Sequence, residues 1–290
     1  MTRAGVAGRL CAQALFFFAA TPLQLLAIRF GSRLAGWTPV IFHRLFLRMF
    51  GVRVEVRGAL ARGAPVLLLS NHVSWLDISV IGSLAPLSFV AKSEVAGWPV
   101  ISWFAKLQRT VFIDRARRAH TAHVNEAVGR RLAAGDVIVL FPEGTSSDGN
   151  RVLPFRASLV GVARAALADP ALGRILLQPL AITYTRRNGL PLGRRERPEI
   201  AWYGDMDLAP HLAGFLRGGA FDARVTFGEP IPFDASTDRK RATAEAEAAV
   251  RRAFRAQIAR QEEEPVAAVP FGPAVTHLRF FSILLPGQKP

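Results

Sequence analysis

The chain has 290 residues, half of them hydrophobic, which is enough for one large core or for a domain with appendages. Its 37 basic and 22 acidic residues give a formal net charge of +15, which favours an anionic partner. Because no basic tract with interleaved aromatic residues accompanies this charge, nucleic acid is not predicted as a partner. The single cysteine, Cys11, excludes an internal disulfide and a multi-cysteine zinc site.

Residues 1–51 predict a membrane-anchoring unit. The stretch 10–28 contains no charged residue and as a helix would measure about 28 Å, close to the ~30 Å hydrocarbon core of a bilayer. The next segment, 37–51, mixes apolar and basic residues as an interfacial amphipathic helix does. A cleaved signal peptide and a buried core helix are the two alternatives. Basic flanks favour the cytoplasmic face of the inner membrane for the rest of the chain, and they are Arg29, Arg33, Arg44 and Arg48.

From about residue 52 to 262, strand patterns alternate with helix patterns. Short apolar or alternating runs predict strands at 52–56, 64–71, 87–92, 110–115, 136–140, 175–184 and 224–232. Longer segments predict helices at 75–84, 98–107, 117–134, 156–168 and 239–264. This alternation predicts one α/β domain with a mainly parallel central sheet flanked by helices. Residues 263–290, with several prolines and an apolar patch, form a separate tail.

Several chemically active side chains follow, or end, a predicted strand. They are His72, Lys92, Arg115 and Glu143. In open α/β sheets the loops beyond the carboxyl ends of the strands form the ligand site. The sequence therefore predicts that these residues share one edge of the sheet.

The stretch NHVSWLD pairs His72 with Asp77. A neutral imidazole accepts a proton near neutral pH, and it does so better when a carboxylate holds its other nitrogen. With His72 in a loop and Asp77 in the first helical turn, the two side chains can meet. The alternative is a capping box, in which Ser74 caps the helix and Asp77 reaches back to it.

A second polar loop, LFPEGTSSDGN at 140–150, follows the strand DVIVL. Its Gly144, Thr145, Ser146 and Ser147 can turn N–H and hydroxyl groups toward an anion. Glu143 is expected to bond a substrate hydroxyl or a neighbouring loop. Lys92 and Arg115 add two candidate cations. An ordinary polar turn with surface charges is the alternative.

The motifs NHVSWLD, AKSEVAGWP, FIDR, FPEGTSS and LLQPLAITY, in this order over about residues 50–235, resemble those of the glycerolipid acyltransferase family. The resemblance implies that His72 deprotonates an acceptor hydroxyl and that Asp77 orients it. The hydroxyl then attacks an acyl thioester of CoA or acyl carrier protein, without a metal or other cofactor. Glu143, Gly144 and Thr145 would form the acceptor loop and Lys92 the headgroup site, with Asn71 beside the base assigned to substrate binding. The N-terminal segments look like the family's two-helix membrane anchor.

Two departures from the family pattern concern the acceptor. Ser146 stands where EGTRS has an arginine, and Arg109 stands where a glycine often precedes the FIxR motif. One interpretation is that Arg109 supplies the missing cation. The other is a headgroup that is not a phosphomonoester, as in the branch that acylates lyso-ornithine lipid. The sequence leaves both lysolipids, 1-acylglycerol-3-phosphate and lyso-ornithine lipid, as candidate acceptors.

Two other classes of protein fit part of the pattern. A lipase or thioesterase built on the same elements would use water as the acceptor. A catalytically silent membrane protein would bind anionic lipid through its arginines.

Overall fold

The computed structural model describes residues 3–113, 118–168 and 172–263. The helices are α1 (Arg3–Arg29), α2 (Leu34–Met49), α3 (Leu76–Gly82), α4 (Pro99–Leu107), α5 (Arg118–Ala133), α6 (Val162–Ala166), α7 (Arg197–Ile200), α8 (Leu208–Gly218) and α9 (Arg239–Glu263). Two 3₁₀ turns lie at Ser93–Gly97 and Leu159–Gly161.

The strands form a single sheet in these residues. They are β1 (Val52–Arg57), β2 (Val66–Ser70), β3 (Ser88–Lys92), β4 (Val111–Ile113), β5 (Ile138–Leu140), β6 (Ile175–Arg187), β7 (Leu190–Pro191), β8 (Phe221–Phe227) and β9 (Ile231–Phe233). The order is β1-β8-β6-β2-β5-β3-β4, with β7 and β9 paired to β6. The run from β6 to β4 is parallel, whereas β8 pairs antiparallel to β6. The mainly parallel α/β sheet predicted from the sequence is confirmed.

Strand β2 is buried along its whole length because helices cover both faces of the sheet. Leu68 joins a cluster formed with α2, α3 and α8, whereas Leu67 and Leu69 join a cluster with α5, α6 and α9. These alternating side chains divide the core into two layers. Because β5 lies between β2 and β3, with Leu68 and Phe89 both opposite Val139, the loops after these three strands emerge side by side.

Helices α1 and α2 form a hairpin that lies along the domain. Arg9 of α1 donates to the Met49 carbonyl of α2 (2.5 Å) and joins the two helices, and Gln24 of α1 donates to the Leu107 carbonyl of α4 (2.7 Å) and joins the hairpin to the domain. Within α1, Ala7–Arg29 is long and apolar enough to cross a membrane, and only 17% of its most apolar window is buried. Its outer face is accordingly rich in exposed apolar side chains.

Two predicted elements differ in the structure. The helix expected at 156–168 is a loop, a 3₁₀ turn and the short α6, because Arg156 and Leu159 are engaged in tertiary and turn hydrogen bonds. The strand expected at 224–232 is two strands, separated at Gly228, whose N–H bonds the Pro179 carbonyl. The tail beyond residue 263 lies outside the described residues.

Candidate active site

The predicted His–Asp pair forms. His72 Nδ1 lies 2.7 Å from Asp77 Oδ2, with His72 in the loop after β2 and Asp77 in the first turn of α3. The His72 side chain is 19% exposed and the Asp77 side chain is fully buried. Because the carboxylate accepts the Nδ1 proton, Nε2 carries the lone pair of the neutral ring. The nitrogen that can act as a base is therefore the one left to face a substrate.

The capping interpretation is also partly right. Asp77 Oδ2 accepts the backbone N–H groups of Val73 (2.7 Å) and Ser74 (3.0 Å), which is the reaching-back half of a capping box. The reciprocal half is missing, since Ser74 Oγ is buried without a hydrogen-bond partner in the described part of the chain. One carboxylate thus shapes the loop that carries His72 and holds the imidazole.

The second polar loop lies against the first. The Ser147 N–H donates to the His72 carbonyl (2.8 Å), and the Phe141 ring stacks on the imidazole at 4.1 Å between centroids. Phe141 directly follows β5 and in turn lies parallel to Phe89 of β3 (6.2 Å, 7°). The imidazole is therefore fixed on one side by an aromatic stack and at Nδ1 by a carboxylate, which leaves little rotational freedom.

Glu143 is the buried acid of this loop, 2% exposed. Its Oε1 accepts the Leu153 N–H (3.2 Å), whereas Oε2 is buried without a partner among the described residues. Burial raises the pKa of Glu143 to about 9; the backbone N–H groups of Leu153 and His72 oppose this rise, and the charge of Asp77 adds to it. At neutral pH the group is a neutral acid, which can donate a hydrogen bond from an otherwise unpartnered oxygen.

The rest of the turn is built around Gly144, whose φ of +78° is a conformation that favours glycine. Thr145 is exposed, and Ser146 is half-buried with its hydroxyl donating to the Trp202 carbonyl. The backbone N–H of Trp202 also donates to the Val73 carbonyl (3.0 Å). The segment after α7 therefore ties both predicted loops together.

Asn71 does not face the substrate region. Its Nδ2 donates to the Ile182 carbonyl and its Oδ1 accepts the Ile182 N–H, both at 2.9 Å, in a fully buried position. The prediction of a substrate-binding Asn71 is corrected, because both ends of its amide are used to join the end of β2 to β6. It is part of the frame that holds His72.

Arg109 lies at the wrong edge of the sheet to supply a cation. It precedes β4, at the amino edge, and pairs with Asp136, which precedes β5 (2.8 Å). His72 follows β2 at the carboxyl edge, and β2, β5, β3 and β4 are parallel. The interpretation that Arg109 replaces the missing arginine is therefore wrong.

Two other cations were predicted for the site, Lys92 and Arg115. Lys92 ends β3 at the carboxyl edge and is exposed, at the same side of the sheet as His72 and Glu143. Arg115 lies outside the described residues.

Sequence reasoning missed two contributors. Tyr184 of β6 donates its hydroxyl to Asp77 Oδ1 (2.7 Å), and Trp202 holds Ser146. The motif LLQPLAITY contained Tyr184, but nothing in its local pattern indicates a partner 107 residues earlier.

An imidazole held by a buried carboxylate, beside a loop with a neutral acid, is an arrangement that can activate a hydroxyl group for attack. A profile described as Acyltransferase matches residues 51–183. The chain is 50% identical over 222 residues to the lyso-ornithine lipid O-acyltransferase of Brucella abortus, covering 76% of this chain and 82% of that protein. It is 46% identical over 219 residues to the protein of that name from Rhizobium meliloti (76% and 75% covered).

The fold is similar to that of the 1-acyl-sn-glycerophosphate acyltransferase of Thermotoga maritima. The TM-score is 0.54 at 20% identity, and the similarity covers 87% of this chain and 96% of that one. The chain belongs to the acyltransferase family. It is an acyltransferase, as the motifs predicted.

Proposed function

We propose that this acyltransferase moves a fatty acyl group from a thioester of CoA or acyl carrier protein to the free hydroxyl of a lysolipid, with lyso-ornithine lipid as the preferred acceptor. The observation that carries the proposal is the 2.7 Å contact of His72 Nδ1 with a wholly buried Asp77, which leaves Nε2 as the base. The names of the Brucella and Rhizobium relatives support the choice of acceptor.

The reaction needs no protein nucleophile. His72 Nε2 takes the acceptor hydroxyl proton as that oxygen attacks the thioester carbonyl carbon. The resulting tetrahedral intermediate collapses, the C–S bond breaks, and the thiolate takes the proton from the imidazolium. The products are an ester and a free thiol, and the imidazole is returned to its neutral form. The neutral acid of Glu143, buried beside this pair, donates to the acceptor oxygen and thereby orients it.

The acceptor preference follows from the charge of the loop. Position 146 carries a hydroxyl that is engaged by the Trp202 carbonyl, rather than a guanidinium. Arg109 is held by Asp136 at the opposite edge. A loop with fewer cations suits a zwitterionic ornithine headgroup better than a phosphomonoester, which Arg binds bidentately.

The test is a thiol-release assay with purified protein. Acyl-CoA and acylated acyl carrier protein are supplied separately as donors, and lyso-ornithine lipid and lysophosphatidate as acceptors, with the ester product identified by mass spectrometry. We expect faster release with lyso-ornithine lipid. Free fatty acid as the only product would instead identify a hydrolase, and salt-sensitive vesicle binding without thiol release a silent lipid-binding protein.

Ser146→Arg sharpens the test of the headgroup. It should raise the rate with lysophosphatidate relative to lyso-ornithine lipid, because it places a guanidinium in the acceptor loop. The matched control is Ser236→Arg, which adds the same charge at an exposed turn before α9. An equal change in both variants would mean that bulk charge, rather than the loop, selects the headgroup.

For the membrane, we propose that the hairpin enters one leaflet from the cytoplasmic face of the inner membrane. Gln24 of α1 donates to the Leu107 carbonyl of α4 and so holds one end of the hairpin against the domain, whereas Arg9 of α1 donates to the Met49 carbonyl of α2 and closes the hairpin itself. Leu15 and Phe18 on α1, and Phe30 directly after it, are each more than 70% exposed, and such apolar surface favours lipid. Of the basic flanks, Arg44 turns to the Ser83 carbonyl (2.8 Å) rather than outward.

Cysteine labelling tests this topology. In a Cys11→Ser background, Ser236→Cys should react with an impermeant maleimide in inside-out membrane vesicles and stay unlabelled in right-side-out ones. Labelling of right-side-out vesicles alone would contradict the cytoplasmic location.

A further inference from the structure

Asp77 binds different groups through its two oxygens. Oδ2 receives His72 Nδ1 and the backbone N–H groups of Val73 and Ser74, within 2.7–3.0 Å. Oδ1 receives the Tyr184 hydroxyl at 2.7 Å, which is its one hydrogen-bond partner in the described part of the chain. The carboxylate is fully buried and Tyr184 is 2% exposed, so water does not substitute for the phenol.

The phenol reaches Asp77 from a rigid position. Tyr184 lies on β6 with its side chain in the same hydrophobic cluster as Leu76 and Val80 of α3. Two residues earlier on the same strand, Ile182 is clamped by Asn71. The strand that locks the end of β2 therefore also presents the phenol to the carboxylate.

We propose that Tyr184 is a positioning residue for acyl transfer, which acts on His72 through Asp77. Its hydroxyl fixes the plane of the carboxylate so that Oδ2 points at Nδ1. It also disperses the negative charge, which limits how tightly the carboxylate holds a proton on the imidazole. This inference rests on the proposed function and assigns a third member to the His72–Asp77 pair.

The phenol stays a donor throughout the working pH range. Burial, followed by the charge of Asp77, raises the pKa of Tyr184 well above its ordinary value. The phenol of Tyr184 therefore keeps its proton and donates it in the hydrogen bond, and the carboxylate of Asp77 accepts.

The experiment compares Tyr184→Phe with Thr185→Val. Each variant deletes one buried hydroxyl of β6, but that of Thr185 donates to the Asp222 carbonyl (3.3 Å) and does not contact Asp77. For Tyr184→Phe we expect kcat to fall about tenfold with KM little changed, since a bond to a charged group is lost. The acid limb of the pH–rate profile should move to higher pH, because the undispersed charge holds the imidazolium proton more tightly. Thr185→Val should leave both unchanged.

Four results would contradict either the inference or the proposed function. Wild-type kinetics in Tyr184→Phe, or a loss of thermal stability with an unmoved profile, would overturn the inference and leave the proposed function standing. An equal shift in Thr185→Val would also overturn it, because the effect would then belong to the strand as a whole. Absence of acyl transfer in the wild-type protein would overturn the proposed function itself.

Discussion

Charged side chains gather at both edges of the sheet, but they are used differently. At the carboxyl edge the buried Asp77 holds His72 by one nitrogen and leaves the other available. At the amino edge Asp136 is shared by Arg109 and Arg131 (2.8 and 2.9 Å). Arg131 also donates to the Arg109 carbonyl and to the Ser88 hydroxyl.

The difference separates a site from a structural network. In the amino-edge cluster of Ser88, Arg109, Arg131 and Asp136, each charged side chain has an ion-pair or hydrogen-bond partner within the cluster. At the carboxyl edge, Glu143 Oε2 is buried without a partner among the described residues, and an imidazole nitrogen is left over. An unpartnered polar group beside an available imidazole nitrogen is a candidate for binding a substrate, whereas the groups of the amino-edge cluster are already engaged with one another. Variants at the two edges test this contrast.

The largest effect is expected from His72→Ala. Loss of the base should lower kcat by about 10²- to 10⁴-fold, the range of general base catalysis. The melting temperature should also fall, because the side chain is only 19% exposed, stacks on Phe141 and donates one bond to the buried Asp77, so kcat is compared per folded molecule. The measurement is thiol release together with a melting curve. Full activity in this variant would refute the assignment of the base.

Asp77→Asn should impair both activity and stability. The neutral amide cannot stabilise an imidazolium, so we expect kcat to fall at least about 100-fold. Both oxygens of Asp77 accept hydrogen bonds, so the NH₂ group of asparagine must face a donor of Val73, Ser74 or Tyr184. One buried donor is then unsatisfied, which should lower the free energy of unfolding by about 1–3 kcal/mol. A stability loss with normal kcat would mean that Asp77 serves only as a cap.

Glu143→Gln should keep most of the activity at pH 7, within about threefold, because the acid it replaces is neutral there. Wild-type activity should decline as pH rises through about 9, where the acid ionises, and the variant should lack this decline. Glu143→Ala is the control, and it should be impaired at all pH values. Strong loss in Glu143→Gln at pH 7 would show that the charged form is required.

The same residue predicts the pH dependence of stability. The pKa of Glu143 is raised from 4.5 to about 9, so the folded state keeps a proton that the unfolded state releases. The contribution of Glu143 to the free energy of unfolding is therefore highest below about pH 4.5 and decreases as the pH rises toward 9. The measurement is the free energy of unfolding from urea titrations of wild type and Glu143→Gln at several pH values in this range. It should decrease with pH in the wild type and not in the variant. An equal decrease in both proteins would contradict the raised pKa of Glu143.

The smallest effect on catalysis is expected at the amino edge. Arg109→Ala should cost about 1 kcal/mol of stability or less, as its ion pair with Asp136 is partly exposed. Activity per folded molecule should be unchanged. A loss of lysolipid affinity without a loss of stability would show that Arg109 takes part in substrate binding.

The sequence alone determined the order of the main helices and strands, because apolar periodicity and turn residues are local signals. It also determined the two loops that carry His72 and Glu143, since each places polar residues directly after a buried strand. The same local signals could not predict the break of the strand at Gly228, which depends on a bond to Pro179.

The tertiary structure alone decided which edge each residue occupies and what it contacts. In the folded chain β5 lies between β2 and β3, and Arg109 lies at the amino edge of the sheet. Asn71 bonds β6, and Tyr184 and Trp202 contact the site. These outcomes depend on strand order and on contacts between residues distant in sequence. Local propensity does not encode such contacts, because they form only when both layers of the core pack at once.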